Sequence, residues 1–212
     1  IGDFAFGGCS NLTDVCFGDG SSLKSIGIHA FNSCSKLDNI LLPDNIETIG
    51  YESFYNTAYY NNLNNWDSNG CLYIGKHLIK VAEDIKFFRV KVGTLCIAQG
   101  SFDGCQKLID FEVNAEYNLY LLPFLRQFKN LETLKLERSP EYLIAHYFNY
   151  NLPLTFKRVV LKKSFNVNSP HLFANLSGIT IYVEDEKQTC QWDSLYPGWN
   201  NGNRVYYGGE WI

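Results

Sequence analysis

The chain has 212 residues, 46% of them hydrophobic and 16% aromatic, which is ample for a continuous core, and only 19% are charged. Its formal net charge of −4 makes no electrostatic case for nucleic acid or for an anionic membrane surface. No run of about 18 apolar residues occurs, so no transmembrane helix and no membrane insertion are expected.

The chain opens inside a pattern. Ile1, Phe6, Cys9, Leu12 and Val15 stand at offsets 0, 5, 8, 11 and 14. The same offsets return at Ile26, Phe31, Cys34, Leu37 and Ile40, and at Ile97, Phe102, Cys105, Leu108 and Phe111. Ile49 and Phe54 begin another copy, with Thr57 in the cysteine place. Self-similarity with a period in the twenties is the mark of a solenoid, whose units cannot bury their apolar faces alone. Because the chain begins with Ile1-Gly2-Asp3, already within a repeat, it reads as a piece of a longer protein with any export signal upstream.

After each cysteine place comes an apolar triplet in the pattern L-x-x-L-x-L. The instances are Leu12/Val15/Phe17, Leu37/Ile40/Leu42, Phe87/Val90/Val92, Leu108/Phe111/Val113, Leu131/Leu134/Leu136, Phe156/Val159/Leu161 and Leu176/Ile179/Ile181. The last two apolar places are two apart, the strand period, so both point to one face. The reading is one short parallel strand per coil, with one sheet face on the core and the other open. Before each strand, Ala5-Phe6, Ala30-Phe31, Ser53-Phe54 and Ser101-Phe102 set a small residue beside a large one on the back of the coil. Gly2, Gly27 and Gly50 follow the repeat-initiating isoleucines, where a tight bend or a positive φ is expected.

Residues 58–83 interrupt the period. "CLYIGKHLIKV" is two strand-like runs around Gly75-Lys76, a hairpin expected to project from the solenoid edge, with Tyr59, Tyr60 and Trp66 packed beneath it. The solenoid is assigned to 1–183. Residues 184–212, rich in tryptophan and tyrosine, are assigned as a C-terminal cap of the same domain.

Three of the seven cysteines, Cys9, Cys34 and Cys105, share one repeat position and read as a ladder of small buried free thiols. No cofactor and no metal site are expected. The histidines His29, His77, His146 and His171 are scattered and read as solvated or core-edge residues. Val183 to Glu186 is an acidic turn without the ligand spacing of a calcium loop. Phosphate-binding, hydrolase and zinc-protease motifs are lacking, so no enzyme is expected.

"IGDFAFGGCSNLTDV" and "IGIHAFNSCSKLDNILLPDNIETIG" resemble the BspA-type leucine-rich repeat. "FYNTAYYNN" with "CLYIGKHLIKV" resembles an insertion common in bacterial members, and "ITIYVEDE" resembles the final coil of many. The resemblance implies an α/β, β-rich solenoid: a right-handed leucine-rich-repeat superhelix with irregular backs. It implies a cell-surface or secreted protein, of bacteria or of some parasitic protists, often concerned with adhesion. It carries no catalytic motif.

The expected functional surface is the outward face of the strands. Asp14, Asp38, Asn39 and Leu41 represent it in the early coils. Phe88, Arg89, Lys91, Asp110 and Glu112 follow, then Glu132, Lys135, Lys157 and Arg158. Acidic, basic and apolar residues side by side suit a protein or peptide partner, such as a host surface protein, better than a polyanion. Phe88 and Leu41 are the expected hot spots. A surface glycan-binding module using Trp66, Trp192 or Trp199, and a structural stalk carrying another domain, are the competing readings.

Overall fold

A computed structural model describes residues 1–18, 20–113, 125, 127–136, 155–162, 177–184, 202 and 204–208. The fold is a parallel β-solenoid of stacked repeats, and the chain divides into two compact units. The first comprises Ile1–Ile85 and Gly93–Cys105, the second Lys86–Val92 and Gln106–Ile212. The Leu176 and His171 positions, His146, Trp192 and Trp199 lie outside the described residues, as does most of the assigned C-terminal cap.

In the first unit, each of the two opening coils carries two short strands rather than one. β1 (Asp14–Val15) pairs in parallel with β3 (Asn39–Ile40), and β2 (Ser25–Ile26) pairs in parallel with β4 (Thr48–Ile49). The isoleucines that open the repeats are thus the buried residues of the second ladder: Ile26 and Ile49 are 2% and 1% exposed. The back segments hydrogen-bond coil to coil. The N–H groups of Phe4, Phe6 and Gly8 donate to Ile28 O, Ala30 O and Asn32 O, and those of His29, Phe31 and Ser33 to Tyr51 O, Ser53 O and Tyr55 O.

This backbone returns to a positive φ twice per coil. Phe4, His29, Glu52 and Gly100 occupy one such column, with φ of 56, 53, 49 and 72°. Gly8, Ser33, Asn56 and Gly104 occupy the other, at 74, 60, 58 and 87°. Gly27 and Gly50, in contrast, do not have positive φ, which removes one of the two reasons expected for them. Their requirement is proximity: a Cβ on Gly27 would lie 2.5 Å from Asp3 N, and one on Gly50 would lie 2.5 Å from Ile28 N.

The small–large pairs behave as a ladder. The Phe6 and Phe31 rings stack with centroids 5.2 Å apart and planes 3° from parallel; Phe31 and Phe54 follow at 5.4 Å and 9°. Phe31, Phe54 and Phe102 are each 1% exposed, whereas Phe6 has one open side and is 42% exposed. Of the three cysteines expected as a buried ladder, Cys34 and Cys105 are buried and donate weakly to the neighbouring coil, Cys34 Sγ to Phe6 O at 3.0 Å and Cys105 Sγ to Ala82 O at 3.5 Å, whereas Cys9 is exposed. Thr57, in the cysteine place, caps the four-residue helix α1 (Ala58–Asn61), its hydroxyl accepting from Tyr60 N.

The inserted hairpin is β5 (Cys71–Ile74) and β6 (His77–Val81), antiparallel around Gly75-Lys76, as expected. It does not project. All of β5 and most of β6 are buried, and β6 pairs in parallel with β8 (Cys96–Ile97), so the hairpin is built into the stack. The sequence reason is that Cys71-Leu72-Tyr73-Ile74 and Leu78-Ile79 put apolar side chains on both faces, which a projecting ribbon could not keep from water. Tyr59 and Trp66 pack beneath it: Tyr59 Oη donates to Tyr73 O at 2.8 Å and Trp66 Nε1 to Tyr60 O at 3.1 Å. His77 is fully buried, not at the core edge, with Nε2 3.1 Å from Pro43 O; burial pulls its pKa down.

The second unit holds a six-stranded parallel sheet. Its order is β7 (Phe87–Arg89), β9 (Asp110–Val113), β10 (Thr133–Leu136), β11 (Arg158–Leu161), β12 (Thr180–Val183) and β13 (Arg204–Tyr207). β13 continues the ladder beyond Val183, within the segment assigned as a cap. The core face is the pair of columns Phe88, Phe111, Leu134, Val159, Ile181 and Val90, Val113, Leu136, Leu161, Val183, all at most 5% exposed. The register pairs Phe88 with Phe111 and Ile181 with Val159. Two triplets are therefore displaced by two residues from the expected phase. The third instance is Ile85/Phe88/Val90, and in the last, Ile181 and Val183 occupy the places expected for Ile179 and Ile181.

Candidate functional site

The outward side of the six-stranded sheet is formed by two rows, fixed by the register. One runs Phe87, Asp110, Thr133, Arg158, Thr180, Arg204; the other runs Arg89, Glu112, Lys135, Val160, Tyr182, Tyr206. Alternation along each strand places these side chains opposite the core columns.

Phe88 is not among them. At 2% exposed it is a core residue, its ring 5.1 Å from that of Phe111. The residue that faces out is Phe87, 46% exposed, and Lys135 Nζ stands 5.7 Å over its ring centroid, within the range of a cation–π contact. The expectation failed because Phe88 stands two places before Val90, and alternation along the strand puts both on the core face whichever triplet is chosen.

The other expected residues of this unit do come together. Arg89 Nε lies 3.5 Å from Glu112 Oε1. Glu132, the residue before β10, holds two cations at the start of the next coil's strand: Lys157 Nζ, just before β11, at 2.7 Å and Arg158 Nη2, its first residue, at 3.0 Å. Those two hydrogen bonds, Lys157 first, pull the Glu132 carboxyl below its usual pKa. Asp110 and Lys135 are half-buried; Lys91 is exposed, beyond the end of β7. The outward side is not uniformly wet. Glu112, Thr133 and Val160 are 7%, 1% and 0% exposed. In register, Thr133 lies between Asp110 and Arg158, and Val160 between Lys135 and Tyr182. Neighbouring strands lie about 4.8 Å apart, so long side chains shade short ones between them.

Sequence reasoning missed the aromatic end of the sheet. Tyr182 and Tyr206 stack, centroids 5.3 Å apart and planes 16° from parallel, with Tyr206 50% exposed. Thr180 and Arg204 adjoin them in the parallel row, and Arg158 is one strand further on. Tyr182 stands one place beyond the expected last triplet, which ended at Ile181, and so was not counted as a strand position.

In the first unit, Asp14 and Asn39 are opposed in the β1–β3 ladder, and Asn39 Nδ2 donates to Asp14 Oδ1 at 3.0 Å. Hydrogen bonds from Thr13 and then Asn39 pull the Asp14 carboxyl pKa down. Asp38 is exposed, and Leu41 faces outward as expected, 63% exposed. No group of three or more His, Cys, Asp or Glu side chains able to hold a metal occurs among the described residues.

The family model described as "BspA type Leucine rich repeat region" matches six copies in this chain, over residues 1–120 and 60–180. The chain belongs to the BspA-type leucine-rich repeat family. Compared with curated proteins, it finds no match. Among solved structures it is similar to a leucine-rich repeat protein from Bacteroides ovatus, with 18% identity and a TM-score of 0.34, covering 98% of this chain and 58% of that one. It is similar to the pneumococcal vaccine antigen PcpA, at 14% identity and TM-score 0.37, over 89% of this chain and 66% of that one. A leucine rich cell surface protein from Faecalibacterium prausnitzii gives 16% identity and TM-score 0.32, over 99% and 63%. This BspA-type chain thus spans 58% to 66% of the length of those structures.

Proposed function

We propose that this BspA-type chain is a non-catalytic protein-interaction module of a cell-surface or secreted protein, serving adhesion or host interaction through the outward side of its repeat strands. The observation that carries the reading is the stacked Tyr182–Tyr206 pair with Arg204 beside it in the adjoining row. Tyrosine and arginine are enriched at binding hot spots because they bring large rigid area and directed donors at low entropic cost. At the other edge of the same sheet, exposed Phe87 and Arg89 offer a second, smaller anchor. The partner is a protein or peptide; Asp110, Glu132, Lys135, Lys157 and Arg158 set its register by mixed charge.

The test is adhesion of the purified chain to cultured epithelial cells, with and without prior protease or glycosidase treatment of the cells. Protease-sensitive adhesion that falls at least about ten-fold in the Tyr182→Ala/Tyr206→Ala variant, the loss of one hot spot's worth of affinity, supports the reading. Adhesion unchanged in that variant refutes it. Adhesion removed by glycosidase alone replaces it with glycan recognition on the same tyrosine platform.

A further inference from the structure

The first unit contains a cleft of about 300 Å³ between the back segments 49–55 and 98–104, beside the hairpin residues Ile79 and Lys80, a volume at the lower end for ligand sites. It arises from the inserted hairpin. At the two preceding junctions, every second N–H of a back segment donates to a carbonyl of the next coil. Continued to the third junction, that register would pair Glu52, Phe54 and Asn56 with Gln99, Ser101 and Asp103. The hairpin takes two of those acceptors instead: Val81 N donates to Ser101 O at 2.8 Å and Lys80 Nζ to Asp103 O at 2.7 Å. The N–H groups of Glu52, Phe54 and Asn56 have no acceptor among the described residues. Glu52 and Asn56 keep the left-handed φ of their counterparts His29 and Ser33; Glu52 and Phe54 line the cleft, and Asn56 follows its lining residue Tyr55. Phe54 is 1% exposed, and buried N–H groups are rarely left unpaired in folded proteins.

The cleft also has a charge. Glu52, Glu83 and Asp103 line it against one cation, Lys80, whose ammonium is already engaged by Asp103 O and, at 3.4 Å, Gly100 O. The Tyr51 ring forms a wall, so close over Gly100 that a Cβ there would sit 2.6 Å from two ring carbons. The Glu52 carboxylate, and then Asp103, push the Tyr51 pKa up, and burial, with Tyr55, Glu52 and Glu83 nearby, pushes Tyr60 up to about 12. Unpaired donors call for acceptors, but three carboxylates repel an anion. A neutral carbonyl on a chain that carries positive charge meets both conditions.

We propose that this cleft binds a short extended peptide bearing a lysine or arginine side chain. Its carbonyls accept from Glu52, Phe54 and Asn56, replacing the coil that the hairpin displaced, as strand addition does at an open sheet edge. Its cation lies among Glu52, Glu83 and Asp103, beside the Tyr51 ring. The site is separate from the six-stranded sheet, so it stands or falls independently of the proposed adhesive surface.

The experiment titrates the ¹⁵N-labelled chain with acetyl-Ala-Lys-Ala-amide, acetyl-Ala-Glu-Ala-amide and n-butylammonium, following amide resonances. The lysine peptide is expected to shift the Glu52, Phe54 and Asn56 resonances and to bind at least about ten-fold tighter than either comparator. Glu83→Gln, at an exposed residue, is expected to weaken it by about ten-fold, one charge-assisted contact, with the rest of the spectrum unchanged. No binding, equal affinity for the glutamate peptide, equal affinity for n-butylammonium, or shifts confined to other residues would each overturn the proposal.

Discussion

Replacing Gly50 by alanine tests the stacking geometry directly. The new Cβ would lie 2.5 Å from Ile28 N, 2.6 Å from Gly27 C and 2.8 Å from Gly27 O, all backbone atoms that cannot rotate away. Ordinary contact at 3.4 Å requires the two coils to part by roughly 0.9 Å here. The adjacent ladder bonds, Gly50 N to Ile26 O at 2.8 Å and His29 N to Tyr51 O at 2.9 Å, would then exceed hydrogen-bonding distance. Two such bonds contribute about 1 kcal/mol each, and residual overpacking costs about 1–3 kcal/mol. Against this, alanine restricts the unfolded chain and returns about 0.4–1 kcal/mol. The expected net loss is about 2–5 kcal/mol, read as a lowered urea midpoint by circular dichroism. Gly18, where a Cβ meets nothing within 4 Å, is the control; Gly18→Ala should change stability by less than about 1 kcal/mol. The chain makes its own comparison at Ala98, the counterpart of Gly50, where the neighbour is the hairpin residue Leu78 rather than a regular coil. A Gly50→Ala protein within about 0.5 kcal/mol of the parent, the scatter of neutral surface changes, would refute the reasoning.

Ser33 holds a φ of 60° in the column where Gly8 and Gly104 stand; Ser33→Gly removes a left-handed penalty of about 1–2 kcal/mol but adds unfolded-state freedom worth about 0.5–1 kcal/mol and loses the Ser33 Oγ bond to Asn32 Oδ1, so the stability read from the urea midpoint should change by less than about 1 kcal/mol. Cys9 and Cys16 are exposed, while Cys34, Cys71, Cys96 and Cys105 are buried free thiols. Burial pushes Cys71 up to about 12 and Cys96 and Cys105 up to about 11. At pH 8, therefore, an aromatic disulfide reagent should modify Cys9 and Cys16 rapidly and those four only on unfolding, as peptide mass mapping will show. Glu132 has a folded pKa below its unfolded value, so its contribution is present at neutral pH and lost as pH falls through the folded pKa. Glu132→Gln should accordingly destabilise at pH 7, with the difference closing in acid, measured by urea denaturation across that range.

The repeat offsets made the solenoid legible because Phe31, Phe54 and Phe102 can share one interior only by stacking coil on coil. The hairpin was legible from Gly75-Lys76 between apolar runs, but not its incorporation, since pairing of His77-Leu78 with Cys96-Ile97 joins distant stretches. The phase of β7 was hidden by strand periodicity itself: in "IKFFRVKV", apolar residues at every second place fit two frames, and only pairing with Phe111 chooses between them. Tyr182 was passed over for a different reason: the expected last triplet ended one residue before it. The use of Gly27 and Gly50 was left open because a missing side chain serves φ or proximity equally well in sequence, and only the neighbour's position distinguishes them. The cleft left no sequence trace, because it exists through bonds that the hairpin diverted.

The stacked phenylalanines carry a further consequence. Phe31 is sandwiched between the rings of Phe6 and Phe54 at nearly parallel angles, so its ring can turn over only when adjacent coils momentarily separate. Phe6, with one side open, has no such restraint. The flip rate of Phe31 is therefore a clock for the breathing of the spiral along its axis, ticking at the pace of coil separation rather than of local side-chain motion.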